Sequence, residues 1–250
     1  MVSPASVGCT VAVKSPGTAD VHMHTNFSDG WPSPVELVDH VLRSTDLNVI
    51  AVTDHDTIEG ALRARDRAQH RRRKLEVIVG EEVSSRDGHI LALFLERRIR
   101  PGLTASATVH AIHEQGGLAV AAHPFWRTAR QVRPGGKVHG VGWLAAELDF
   151  DAIEVENATP GFFVFNQLAH RLNLGLGAPE LGSSDAHILD AIGRAFTEFP
   201  GRTADELRIA IETGETSPGR CRYRAVGLMR YAAWGFNHQR YAVGAVATAR

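Results

Sequence analysis

The chain has 250 residues, 44% hydrophobic and 22% charged, the make-up of an ordinary globular protein and not of a disordered or collagen-like one. Its 27 basic and 28 acidic residues leave a formal charge of -1, so no overall field for nucleic acid or a membrane surface exists. No apolar run approaches the ~20 residues of a membrane span, and two cysteines, Cys9 and Cys221, cannot build a disulfide framework, which points to a reducing, cytoplasmic setting.

Residues 1–16 carry one charge, Lys14, and lack the basic start and long apolar core of a secretory signal. Residues 19–24 read as a first strand. A helix follows over 33–43, opened by Ser33-Pro34 and a capping-box Glu36, with Val35, Leu37, Val38, Val41 and Leu42 on one stripe. Strands are predicted at 48–53, 76–79, 89–95, 118–122 and 151–155, and a weaker seventh at 174–177 or 181–184. Helical patterns occupy 57–70, 106–115, 143–148, 162–172 and 203–213, the last capped by Thr203 ahead of Glu206. Residues 126–142, rich in Gly and Arg, read as a long functional loop.

The strands are continuous apolar runs, as strands buried on both faces should be. Strand alternating with helix predicts parallel pairing and an α/β fold. Six or seven such units suit a closed or nearly closed barrel, with a doubly wound sheet as the alternative. The segment 219–250 holds six arginines, three tyrosines and no acidic residue. Basic residues among aromatics suit nucleic acid, but a final helix over 226–236, apolar side on the barrel and arginines in water, is the plainer reading.

The chemistry is carried by the 13 histidines. His22 and His24 end the first strand, and residues i and i+2 of a strand project to one face, so both imidazoles could reach one ion. Asp29 follows in a Ser-Asp-Gly turn. The second strand ends in Thr53-Asp-His-Asp-Thr57, the third runs into Gly80-Glu-Glu-Val-Ser84, the fifth ends in Ala122-His-Pro124 and the seventh in Ser183-Ser-Asp-Ala-His187. These are carboxyl ends of strands, where parallel α/β folds build their sites. His89 is the exception, because it begins its strand. Any one of these motifs could be accidental; their recurrence at one end of one fold is not.

Imidazole mixed with carboxylate suits Mn, Fe(II) or Zn. Six histidines with three or four carboxylates exceed the needs of one ion and imply a cluster of two or three. His110 and His113 share a helix face with no third ligand and read as solvated, and His40, His70, His170 and His238 read as surface or packing residues. His139 stays open. No nucleophile elbow, Walker loop, His-Glu-x-x-His or dinucleotide fingerprint is present.

In their order, these motifs resemble the PHP (polymerase and histidinol phosphatase) family of metal-dependent phosphoesterases over about residues 18–215. The resemblance implies a distorted (β/α)7 barrel with a trinuclear site at the carboxyl ends of its strands. It implies that His22 and His24 hold one metal with Asp185, that Asp29, His55 and His187 hold a second, and that His89 and His123 hold the third. A bridging glutamate is expected at Glu82, with Glu81 as the fallback. The catalytic barrel would span 18–218, between an extension at 1–17 and the segment 219–250, which lies outside the resemblance.

The expected reaction is hydrolysis of a small phosphomonoester, such as a nucleotide or sugar phosphate, by in-line attack of a hydroxide bridging two ions. A phosphodiesterase or exonuclease acting on a cyclic phosphate or oligonucleotide ends is the alternative, and a metal-braced structural module is a third reading. Asp54 and Asp20 are expected to orient imidazoles through their second ring nitrogen. Arg127 and Arg194 are the nearest candidates to grip phosphate oxygens. The expected partner is a small phosphorylated substrate, with no membrane, and with nucleic acid only as an exonuclease-type substrate.

Overall fold

The computed structural model describes residues 16–71 and 74–247, with side chains described as far as residue 237. The extension through residue 15, Cys9 and the side chain of His238 lie outside the described residues. Among the described residues nine strands follow in chain order: β1 (Gly17–Asp20), β2 (Val49–Val52), β3 (Glu76–Ser84), β4 (His89–Leu93), β5 (Leu118–Ala121), β6 (Ala152–Asn157), β7 (Glu180–Ser183), β8 (Ala195–Phe199) and β9 (Ser217–Arg220). They form one sheet in the order β7-β6-β5-β4-β3-β2-β1-β8-β9.

The sheet curls until its ends nearly meet. On β8 the Thr197 hydroxyl accepts the Gly182 N–H (3.1 Å) and donates to the Gly182 carbonyl (2.9 Å), bringing β7 against β8. A Cβ at Gly182 would lie 2.4 Å from the Phe196 carbonyl oxygen, so this closure needs glycine there. The barrel is thus α/β, as expected, but nine-stranded where seven were predicted.

Parallel pairing holds for β1–β2, β2–β3, β5–β6 and β6–β7. It fails at β3–β4, β4–β5, β1–β8 and β8–β9, which are antiparallel. The reason at β3–β4 is length: four residues, 85–88, separate the strands, too few for the crossover that parallel neighbours require. Gly88 (φ 145°) turns the chain, and the Ser85 hydroxyl bonds its carbonyl. The strands β8 and β9 are absent from the sequence-based expectations; β8 is only five residues, Ala-Phe-Thr-Glu-Phe, and β9 reads Ser-Pro-Gly-Arg, a poor strand signal.

Among the described residues there are six α-helices: α1 (Pro34–Ser44), α2 (Glu59–Gln69), α3 (Ala105–His113), α4 (Phe163–Leu176), α5 (Ala204–Thr213) and α6 (Ala225–Ala247). The predicted capping box of Ser33 with Glu36 forms, and the predicted cap Thr203 also forms a box with Glu206. Each such cap contributes about 1 kcal/mol. Residues 174–176 close α4 and Gly177 caps it with φ 67°, so the second of the two options holds for the seventh strand. The segment predicted at 143–148 is a 3-10 turn, Gly142–Ala146.

Alternate strand residues feed two apolar layers. Ile50 and Val52 join α1, α2 and α3 residues such as Leu37, Ala64 and Ile112, while Val49 and Ala51 join Leu207 and Ile211 of α5. Burying each Leu or Ile contributes on the order of 1.5–3 kcal/mol. Among the described residues, no helix is long and apolar enough to cross a membrane.

Candidate metal centre

Beyond β1 the chain stays extended, and it is stitched to the segment after β7 by His24 N–H to the Ala186 carbonyl (2.8 Å) and Ala186 N–H to the His22 carbonyl (3.2 Å). His22 and His24 therefore project together, and both are fully buried. His22 Nε2 lies 3.3 Å from Glu82 Oε2 and 3.5 Å from Asp185 Oδ1. For His24 Nε2 the same distances are 3.2 and 3.3 Å.

Glu82 stands at the centre. Its Oε2 also lies 3.2 Å from His55 Nδ1, and its Oε1 lies 2.7 Å from His89 Nδ1 and 3.0 Å from His123 Nε2. Five imidazoles thus surround one carboxylate. The antiparallel β4 resolves the anomaly at His89, because a reversed strand begins at the end of the barrel where β3 finishes, with His89 paired to Ser84. Asp29 Oδ1 is 3.2 Å from His187 Nε2, and Oδ2 is 3.7 Å from His55 Nε2. Glu81, by strand alternation, points elsewhere and accepts the Ile99 N–H (2.8 Å).

Four groups of side chains could each hold an ion: His22 with His24 and Asp185; His24 with Asp29, His55 and His187; His22 with Glu82 and His123; and His55 with Glu82 and His89. The donor set fits divalent metal for a physical reason. Of the nitrogens that face Glu82, His22 Nε2, His24 Nε2 and His55 Nδ1 are buried without a hydrogen-bond partner. Each such atom costs about 1–3 kcal/mol unless something satisfies it. Strain is concentrated here too: His123 (φ 26°) and Asp185 (φ 51°) hold left-handed backbone.

The electrostatics are those of a mutually neutralised cluster. Burial opposes ionisation of Glu82, yet His55, His89 and His22 outweigh it and hold the carboxyl well below the usual range. Burial likewise opposes charge on His24, but Asp185, Glu82 and Asp29 raise it to about 10. His55 is the converse, driven by burial to about 4 despite Glu82.

The two aspartates expected to orient imidazoles do not do so. Asp54 accepts from the Thr25 N–H (2.7 Å) and from the Thr25 and Ser28 hydroxyls (both 2.6 Å), fixing the turn that presents Asp29. Asp20 accepts from the Ser184 (2.9 Å) and Gly193 (2.8 Å) N–H groups, fixing the segment that presents Asp185. Their carboxylate oxygens are taken up by these N–H and hydroxyl donors instead of an imidazole. The orienting role falls to Glu154 on β6, which the sequence reading missed. Its Oε1 lies 2.9 Å from His22 Nδ1, and its Oε2 accepts the His123 backbone N–H (2.7 Å) and an Asn157 amide N–H (3.0 Å). An acidic residue inside the apolar run Ala-Ile-Glu-Val was the available signal.

A cleft of about 410 Å³ opens over the cluster, bordered by Trp126, Arg127, Lys137, His139, Phe162 and Trp234. Much of that border is the long loop, which places His139 4.7 Å from the His89 ring and 4.5 Å from that of Trp126. Arg194 is not part of it. Its guanidinium donates to the Asp190 (3.0 Å) and Arg222 (3.1 Å) carbonyls and lies over Tyr223, because residues 220–223 pass beside it. His113 is half-buried on Asp151 (2.8 Å), not solvated, while the exposed His110 and His170 rings lie 3.4 and 3.0 Å from carboxylate oxygens of Glu114 and Glu180. The C-terminal helix α6 reaches the cluster with Tyr231 and Trp234, a placement absent from the sequence reading.

Comparison with known proteins agrees with this geometry. A PHP domain model matches residues 20–125, and a PHP-associated C-terminal model matches 164–216. An uncharacterized protein of Methanocaldococcus jannaschii is 32% identical over 161 residues, covering 60% of this chain and 88% of that one. A 5'-3' exoribonuclease of Haemophilus influenzae is 39% identical over 90 residues, but these span 34% of this chain and 31% of the relative. Among solved structures, a two-domain protein of Bacteroides vulgatus described as containing a predicted PHP-like metal-dependent phosphoesterase superposes with a TM-score of 0.66 at 22% identity. The superposition covers 82% of this chain and 65% of that one, and shows a shared fold.

Proposed function

This chain belongs to the PHP family of metal-dependent phosphoesterases, and from that premise we propose that it hydrolyses a small phosphomonoester such as a nucleotide or sugar phosphate. The observation that carries this reading is Glu82, whose two oxygens reach five imidazoles at the floor of a cleft bordered by Arg127 and Lys137.

His22, His24 and Asp185 would hold one ion, Asp29, His55 and His187 a second, and His89 and His123 a third, with Glu82 between them. Two or three ions of Mn, Fe or Zn suit this mixture. When bound, such ions supply Lewis-acid charge that ionises water near neutral pH and neutralises phosphoryl oxygens. The chain's own residues do the rest. Glu154 keeps the His22 ring turned, Asp54 and Asp20 hold the backbone under Asp29 and Asp185, and Arg127 and Lys137 receive phosphate oxygens that face away from the floor. Two cations beside a small cleft suit the doubly charged terminal phosphate of a monoester. The exposed free thiol of Cys221 fits a reducing, cytoplasmic setting. The catalytic unit would run over 18–218, with the segment from 219 packed on it.

The second reading is a phosphodiesterase or exonuclease acting on oligonucleotide ends, favoured by the identity to the Haemophilus influenzae exoribonuclease over 90 residues. One comparison separates the two: hydrolysis of p-nitrophenyl phosphate and of bis-p-nitrophenyl phosphate with added manganese, His55→Ala serving as the blank. Faster monoester turnover, lost in the variant, supports the phosphatase. Faster diester turnover puts the nuclease ahead. Manganese bound without turnover on either ester would leave a metal-braced structural module.

A further inference from the structure

The segment after residue 219 lies beyond both stretches that match the family, yet it is built into one side of the centre. The Trp234 indole N–H donates to the Asp29 carbonyl (2.8 Å), and its ring centroid lies 4.1 Å from that of His187. Three residues earlier, the buried Tyr231 hydroxyl lies 3.4 Å from the Asp185 carbonyl oxygen and 3.3 Å from Thr159 Oγ1. The Thr159 hydroxyl in turn donates to Asp185 Oδ2 (3.2 Å). Spacing of i and i+3 puts both aromatics on one face of α6, while Met229 and Phe236 are left exposed. The buried side of the helix is therefore committed to three residues of the cluster: Asp29, Asp185 and His187.

We propose that α6 is a positioning element of the metal centre, with Trp234 and Tyr231 holding Asp29, Asp185 and His187 for the ion, so that helix docking and metal occupancy are coupled. A side chain already fixed loses less freedom when it takes up a ligand, and the partners of metal ligands set affinity for that reason. Coupling of this kind is reciprocal: whatever factor the docked helix adds to metal affinity, the metal adds to helix docking. The inference rests on the reading of the cluster as a metal centre.

The test uses the full-length protein and manganese alone. Trp234→Phe keeps an aromatic ring and removes the N–H bond to Asp29; Trp234→Ala removes both; Met229→Ala alters the exposed face of the same helix. Manganese affinity is read by titration of the free ion, and α6 docking by hydrogen exchange of its amides with and without manganese. Trp234→Ala is expected to weaken manganese about 10-fold or more, Trp234→Phe less, and Met229→Ala not at all. Manganese should slow exchange along α6 in the natural protein and fail to do so in Trp234→Ala. If Trp234→Ala does not fold, Trp234→Phe and the exchange of the natural protein decide. Unchanged affinity in both Trp234 variants, or α6 exchange indifferent to manganese, overturns the proposal. A natural protein that binds no manganese, iron or zinc overturns the metal-centre reading itself.

Discussion

Nδ1 of His22 lies 2.9 Å from Oε1 of Glu154, and both side chains are wholly buried. A carboxylate accepts only, so the proton of a neutral imidazole sits on Nδ1 and the Nε2 lone pair is left facing Glu82 and Asp185. Ligand identity at His22 is thus set by a residue that does not itself enter the cluster.

Glu154→Gln tests this directly. A glutamine amide can present N–H to Nδ1, which moves the imidazole proton to Nε2, where an ion would bind. The substitution keeps shape and volume, so folding should survive. Metal affinity and p-nitrophenyl phosphate turnover are expected to fall about 10–100-fold, and a manganese titration matching the natural protein would refute the role.

Metal should matter more as pH rises. In the metal-free protein, burial opposes protonation of His22, His24 and His123, but the carboxylates around them raise all three, His24 to about 10. Their folded values exceed the unfolded value of about 6.5, so their stabilisation is complete below that pH and is lost as pH rises towards about 10. Glu82 and Asp185 are depressed, so their contribution is present above about pH 4 and is lost on acidification. Ions displace the imidazole protons and bind more tightly with rising pH. At 100 times Kd they stabilise by about 2.7 kcal/mol. Chelation should therefore lower the melting temperature more at about pH 8 than at about pH 6, and the reverse order would contradict the arrangement.

How far this was legible in the sequence follows from what each residue depends on. His22, His24, His55, His123 and His187 could be placed because each lies at or just beyond a strand end, and strand ends are set by local apolar runs. Glu82 needed the resemblance to choose it over Glu81, since adjacent residues differ only in the face they point to. His89 looked misplaced because the reversal of β4 depends on the short turn at 85–88. Glu154, Trp234 and the backbone roles of Asp20 and Asp54 were beyond reach. Their partners, His22, Asp29, Ser184 and Thr25, are fixed by barrel closure and by the packing of α6, neither of which is written in any local window.

Glu81 offers a pH dependence separate from the cluster. Burial pushes its carboxyl up to about 7, and its Oε2 accepts the Ile99 N–H while Oε1 has no partner. The folded state therefore holds an extra proton between about pH 4.5 and about 7, and stability falls with rising pH there by up to about 1.4 kcal/mol per unit. Glu81→Gln keeps the acceptor for Ile99 and removes the charge. With manganese present throughout, thermal melts should show the variant more stable than the natural protein at about pH 8 and similar at about pH 5. Parallel curves across that range would mean Glu81 titrates elsewhere.

The two cations beside the cleft should be separable from Arg194 by kinetics. Arg127 and Lys137 border the cavity above the cluster, and a hydrogen bond to a charged group contributes about 1.5–3 kcal/mol. Arg127→Ala and Lys137→Ala should each raise KM for p-nitrophenyl phosphate about tenfold or more, because 1.4 kcal/mol is a factor of ten. Arg194 spends its guanidinium on the carbonyls of Asp190 and Arg222 at the approach to α6. Arg194→Ala should leave KM near its natural value at saturating manganese and instead weaken manganese binding and α6 protection from exchange. A KM rise in Arg194→Ala matching that of Arg127→Ala would return Arg194 to the phosphate site and show that residues 220–223 move aside in the working enzyme.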